Sequence, residues 1–138
     1  MPTAETIHRE MIDAIVADDF DRIRELLHPE YAYTGGDGQQ HHGPEAGLAV
    51  AKMYKSAFPD MQPEILSTLT VGDTAITEFR VRATHQGPLG EIAATGRSVD
   101  VTVCNIVELR DGKIYREREY FDSLTMMSQL GVVQPPGA

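Results

Sequence analysis

The sequence predicts an α+β fold in which helices come first and gather on one face of a curved, mainly antiparallel sheet. Three observations carry this. Apolar residues recur at three- and four-residue steps up to about residue 58, they alternate at every second position from about residue 64, and Gly72-Asp73 and Asp111-Gly112 mark tight turns between alternating runs. At 138 residues, 41% hydrophobic and 24% charged, the chain is about one average domain, so one domain over residues 1–138 is expected.

Thr3 can cap a first helix with Glu5 in its opening turn, and Ala4, Ile7, Met11, Ala14 and Ile15 lie along one face. Asp18 or Asp19 starts a second, short helix that turns Phe20, Ile23, Leu26 and Leu27 inward. It stops at His28-Pro29, because proline disfavours the helical conformation in the residue before it. A strand over 31–34 leads into a polar, glycine-rich loop running from Gly35-Gly36-Asp37-Gly38 to His41-His42-Gly43. Pro44 suits the first turn of a third helix, which runs to about Phe58 with Ala46, Val50, Met53, Tyr54 and Ala57 as its apolar line.

Strands over 64–69 and 74–85 come next, the second with Phe79, Val81, Ala83 and His85 on its core face. After a Gly/Pro loop over 87–96, Val99, Val101, Val103, Asn105, Val107 and Leu109 share one face of a long strand. The turn Arg110-Asp111-Gly112-Lys113 opens a strand over 114–122, Ser123 caps a last short helix to Leu130, and the tail over 132–138 is expected to fray.

Lys and Arg number 12 against 21 Asp and Glu, a net charge of −9. The chain therefore lacks the clustered cations that track phosphates, and no nucleic-acid partner is expected. Of the acids, 12 fall in residues 1–69 with 5 bases, a skew that bears on solubility more than on function. The single cysteine, Cys104, excludes an internal disulfide and multi-cysteine zinc patterns, and His41-His42 lacks a spaced third ligand, so no metal is expected. The polar opening lacks a signal-peptide pattern, and no run approaches the roughly 20 apolar residues that span a bilayer. A cytoplasmic protein without a membrane partner is the expectation. No phosphate-binding glycine loop, G-x-S-x-G, H-E-x-x-H or dinucleotide fingerprint is found, which leaves acid/base chemistry without a cofactor.

The informative exceptions are polar residues on apolar faces. If the Asp-Gly turn carries a one-residue bulge at its glycine, Asn105 lies opposite Glu119 and Val107 opposite Glu117; an unbulged two-residue turn pairs Asn105 with Arg118 instead. The bulged register puts Phe121 and Glu119 on the apolar face, where desolvation raises a carboxyl's pKa and makes Glu119 a candidate base. Against this, Arg116-Glu117-Arg118-Glu119 alternates in sign and also suits a solvated edge. Asp122 is the alternative carboxylate if the register differs, or else a cap for the last helix. His85 is a candidate donor or a core histidine. Tyr33, Met53, Tyr54, Phe79, Val103 and Phe121 are the expected lining of a pocket for a hydrophobic small molecule, and Tyr31, Tyr33 and Tyr54 could turn a hydroxyl into it.

Ala57-Phe58-Pro59-Asp60-Met61, Ala83-Thr84-His85-Gln86-Gly87, Thr95-Gly96-Arg97, Arg110-Asp111-Gly112-Lys113-Ile114, and Phe121-Asp122 followed by Gln129-Leu130-Gly131 together resemble the SnoaL-like polyketide cyclases of the nuclear-transport-factor-two-like superfamily. The resemblance spans nearly the whole chain. It implies an NTF2-like α+β cone, a homodimer, and ring closure of an aromatic polyketide ester by intramolecular aldol addition with neither metal nor cofactor. The substrate it implies is hydrophobic and rich in carbonyls. A carboxylate on the last strand is then the acid/base, matched here by Glu119, and Asn105 falls where the cyclases place a polar partner, often histidine. Arg118-Glu119-Tyr120-Phe121-Asp122 is also similar to a stretch of the limonene epoxide hydrolases of the same superfamily. Those enzymes pair Arg and Asp where this chain has Phe79 and Val81. A SnoaL-like hydroxylase, or a non-catalytic ligand-binding or dimerisation module, is a further outcome within this fold.

Overall fold

The computed structural model describes residues 2–134 and 137, so the expected fraying of the tail falls partly outside the described residues. The order is α1 (Ala4–Val16), α2 (Phe20–Leu26), β1 (Leu27–Thr34), β2 (Gln40–His42), α3 (Pro44–Ala57), β3 (Glu64–Val71), β4 (Thr74–Thr84), β5 (Ser98–Arg110), β6 (Lys113–Phe121) and α4 (Ser123–Gln129). The strands form one six-stranded sheet in the order β2-β1-β6-β5-β4-β3. Every neighbouring pair is antiparallel except β1 with β6, which the chain joins by returning after four other strands. The α+β architecture expected from the change in periodicity is the one observed.

Local chemistry sets the helix starts. Thr3 Oγ1 accepts from Thr6 N at 3.1 Å to cap α1, and Asp19 Oδ1 accepts from Arg22 N at 3.1 Å to cap α2. Before α4 the cap is Asp122, not Ser123: its Oδ1 accepts from Thr125 N at 3.0 Å and its Oδ2 from the Thr125 hydroxyl at 2.6 Å. Leu27 begins β1 instead of closing α2, so His28 and Pro29 lie inside a strand. β2, a three-residue edge strand in the segment expected to be loop, pairs with β1 and is too short to show a period. In α3 the fully buried apolar positions are Leu48 and Ala57, while Val50, Met53 and Tyr54 are half-buried. Val50 and Tyr54 pack against the core on one side and line a cavity on the other.

The β5–β6 hairpin decides which side chains point inward. Asp111 and Gly112 have φ of 54° and 73°, the left-handed pair that a two-residue turn needs to follow the strand twist. Arg110 pairs with Lys113 and Leu109 with Ile114, the unbulged register. The extra residue comes one step later, where Glu108 pairs with Arg116 and Tyr115 is left as the bulge. The bulge was expected at the glycine, and the structure moves it to Tyr115. Its consequence is unchanged, because Val107 still meets Glu117 and Asn105 still meets Glu119.

The core divides along the strands. One cluster, including Ile7, Met11, Ile23, Leu26, Tyr31, Leu48, Val107 and Ile114, sits where β4 starts and β5 ends. A second, including Ala57, Phe58, Ala83, Leu89, Val99, Met126 and Leu130, sits at the other end of the same strands. Between them a smaller cluster of Ile12, Phe79 and Val103 packs beside Thr77, Asn105 and Glu119, which lie in one line across β4, β5 and β6.

Candidate active site

A cavity of about 160 Å³ lies between the helices and this middle stretch of sheet. Ile12 and Ile15 of α1, Val50 and Tyr54 of α3, and Phe79, Val101, Val103 and Phe121 of the sheet give it hydrocarbon walls. Five polar side chains converge on one part of that lining: Tyr31, Tyr33, Asn105, Glu117 and Glu119. The period of two puts both glutamates on one face of β6, and Arg118 between them points away to Glu108 at 2.6 Å.

The Tyr33 hydroxyl donates to Glu119 Oε2. Tyr31 donates to Glu117 Oε1 at 2.5 Å, and Asn105 Nδ2 donates to Glu117 Oε2 at 2.9 Å. Behind Asn105 lies His8, fully buried, with Nε2 2.7 Å from Asn105 Oδ1 and Nδ1 2.9 Å from the Thr77 hydroxyl. Gly47 of α3 makes room for this arrangement: a Cβ there would stand 2.3 Å from the Tyr31 ring.

Burial pushes the Glu119 carboxyl up to about 7; the Tyr33 hydrogen bond opposes this, and the charges of Glu117 and Asp37 add to it. Burial also raises Glu117, opposed by its bonds from Tyr31 and Asn105. Burial holds His8 below the ordinary histidine value against the pull of Asn105. Tyr31 and Tyr33 are raised in the same way, and burial with the Glu119 charge takes Tyr54 to about 12, so all three hydroxyls keep their protons. The site thus offers one carboxyl that gains or loses a proton near neutrality and several fixed donors around it.

Of the residues singled out in the sequence, Glu119, Asn105, Tyr33, Tyr54, Phe79, Val103 and Phe121 line the cavity. Three do not. His85 is buried away from it, with Nδ1 accepting from Thr95 N at 3.1 Å and its ring 5.4 Å from that of Phe58; β4 has ended before it. Met53 packs into the second cluster, because its side of α3 faces Ala57 and its neighbours. Asp122 is exposed and spent on capping α4. Sequence reasoning missed His8, Thr77 and Glu117. Each had a signal: His8 lies four residues from Ala4 and three from Met11, Thr77 two before Phe79, and Glu117 two before Glu119.

The profile of the SnoaL-like polyketide cyclases matches residues 5–130. The chain belongs to that family. It is 28% identical over 138 residues to the aklanonic acid methyl ester cyclase DnrD of Streptomyces peucetius, covering 98% of this chain and 95% of that one. It is also 28% identical over 130 residues to the aklanonic acid methyl ester cyclase DauD of Streptomyces sp. (strain C5), covering 92% and 81%. A crystal structure of a protein of the SnoaL-like polyketide cyclase type from Jannaschia sp. CCS1 superposes with a TM-score of 0.87 over 96% of this chain and 93% of that one. Its 22% identity bears on the fold alone. Among the described residues no helix is long and apolar enough to cross a membrane, and no cluster of His, Cys, Asp or Glu has the makings of a metal site.

Proposed function

We propose that this chain closes a ring in a hydrophobic, carbonyl-rich aromatic polyketide ester by intramolecular aldol addition, with Glu119 as acid and base and no resident cofactor. The observation that carries the reading is the Glu119 carboxyl, set in hydrocarbon walls and poised to titrate at about 7. A general base works best when its pKa lies near the working pH. Ionised Glu119 takes the proton from a carbon next to a carbonyl. The enolate carbon attacks a second carbonyl of the same molecule, one C–C bond forms, and the alkoxide recovers the proton from Glu119. Product and substrate are isomers. Asn105, with one amide hydrogen engaged by Glu117, has a second to offer the enolate oxygen, and the Tyr33 hydroxyl adjoins Glu119. A donor of this kind contributes roughly 2.7–4 kcal/mol to an oxyanionic transition state. His85, Met53 and Asp122 have no part in it.

Acid-assisted epoxide opening finds no support, since Phe79 and Val81 line the cavity where that chemistry needs a guanidinium and a carboxylate. A purely structural module is disfavoured because Tyr54 and Phe79 border an open cavity instead of filling it. The expected assembly is a homodimer in the cytoplasm, a reading consistent with the exposed Leu69, Val71 and Tyr120. Incubation with an anthraquinone-type polyketide methyl ester, followed by mass spectrometry, tests the reaction. The expected product has unchanged mass and a new retention time, forms only with the protein, and disappears with Glu119→Gln. Gain of one oxygen atom would mark a hydroxylase instead, and an identical product from Glu119→Gln would remove Glu119 from the mechanism.

A further inference from the structure

The cavity holds a second carboxyl that the ring-closing step does not use. Glu117 is buried, lines the cavity, and sits one strand repeat from Glu119 on the same face of β6. Among the described residues no Lys or Arg lines the cavity, so no cation offsets either charge there. Glu117 instead meets two aimed donors, the Tyr31 hydroxyl at 2.5 Å and the Asn105 amide at 2.9 Å, whereas Glu119 has one, the Tyr33 hydroxyl. Asn105 is fixed from behind. Its Oδ1 only accepts, so the His8 Nε2 at 2.7 Å carries the ring proton, and His8 Nδ1 is left to accept from Thr77 at 2.9 Å. With Oδ1 engaged, the amide cannot turn over, and its NH₂ group faces Glu117.

We propose that Glu117 is the fixed negative partner of Glu119, held as a carboxylate by Tyr31 and by an Asn105 that His8 and Thr77 lock in one orientation. Two carboxyls one strand repeat apart on a cavity wall without a cation resist being ionised together. The better-donated Glu117 carries the charge and Glu119 the proton. This rests on Glu119 being the titrating group of the ring-closing site, but it needs no turnover to be seen. Glu117 is a positioning residue: it sets where Glu119 titrates.

The other groups facing the pair agree with that assignment. Tyr31 and Tyr33 of β1 and Tyr54 of α3 stay protonated, and Asp37 of the β1–β2 loop adds charge of the same sign as Glu117 at Glu119. On the β5 side Asn105 is uncharged, and burial favours neutral His8 of α1 behind it. Glu119 feels the Glu117 charge, while Glu117 is shifted by its burial and its own two donors.

The test follows the glutamate carboxyl carbons of the full chain by ¹³C NMR from about pH 4 to pH 9. In the wild type Glu117 titrates below Glu119. In Glu117→Gln the Glu119 midpoint falls by about one unit or more. In His8→Leu, which frees Asn105, the Glu117 midpoint rises toward that of Glu119, and His8→Gln, with an amide N–H for Asn105 Oδ1, restores it. A Glu119 midpoint that stays in place in folded Glu117→Gln overturns the proposal, as does a wild-type Glu117 that titrates above Glu119. Should Glu117→Gln not fold, the wild-type order and the two His8 variants decide. Because no substrate is present, shifted titrations with no ring closure would reject the reaction and keep the pair.

Discussion

The acid/base role proposed for Glu119 has a counterpart in the free energy of folding. Its carboxyl is raised from an ordinary 4.5 to about 7, so the folded chain holds a proton that the unfolded chain has already lost over this range. Stability from this group is therefore complete below about pH 4.5 and is lost as pH rises through about 7. Glu119→Gln removes the dependence. Relative to that variant, the wild type should lose about 2–3 kcal/mol between pH 4.5 and pH 8, read by chemical denaturation across that range; a difference that stays flat with pH contradicts the assignment. Asn105 was legible because it breaks an alternation of apolar residues, and Glu119 because pairing across the Asp111-Gly112 turn sets it opposite Asn105 on that face, where a polar group needs a reason. His8 sits on the apolar stripe between Ala4 and Met11, but its part in the site depends on Asn105 and Thr77, partners distant in the chain. His85 shows the converse: its inward face was legible, but alternation does not say how far along the strand the cavity extends.

The decisive element is the β5–β6 hairpin. A straight ladder from the Asp111-Gly112 turn would put Arg118 opposite Asn105 and both glutamates on the outer face. The bulged Tyr115 restores the pattern, its ring centroid 3.7 Å and 3.8 Å from the guanidinium carbons of Arg110 and Arg116. Deleting Tyr115 should leave the pairing beyond Arg116 intact, because Leu109–Ile114 and Glu108–Arg116 then become consecutive rungs. Its cost is on the order of 1–2 kcal/mol of lost cation–π contact. Deleting Arg118 instead turns residue 119 outward. In the ¹³C titration the first variant should keep Glu119 near 7 and the second should return it to the ordinary carboxylate range, and the opposite pattern would mean that the bulge does not set the register. Element types were legible wherever a period ran for several residues, as in α1, β4 and β5. The three residues of β2 were not, and neither was the parallel pairing of β1 with β6, which depends on partners distant in the chain.

Over the whole molecule, packed clusters at the two ends of the strands, with a smaller one of Ile12, Phe79 and Val103 between them, hold the sheet in shape around the cavity. That arrangement lets a cavity lined by hydrocarbon contain two carboxyls without disturbing the core, and it makes the site a property of the entire sheet rather than of one loop. Membership in the SnoaL-like polyketide cyclases covers residues 5–130, a span that includes every polar group of the cavity. The central claim is that this cavity makes Glu119 a base toward a carbon acid. The most direct measurement is exchange of the protons next to the carbonyls of an anthraquinone-type polyketide methyl ester in D₂O, followed by ¹H NMR with wild type, Glu119→Gln and Asp122→Asn. The account predicts exchange catalysed by the wild type and by Asp122→Asn, and slowed about a hundredfold to ten-thousandfold in Glu119→Gln. Exchange at the wild-type rate by folded Glu119→Gln would contradict it.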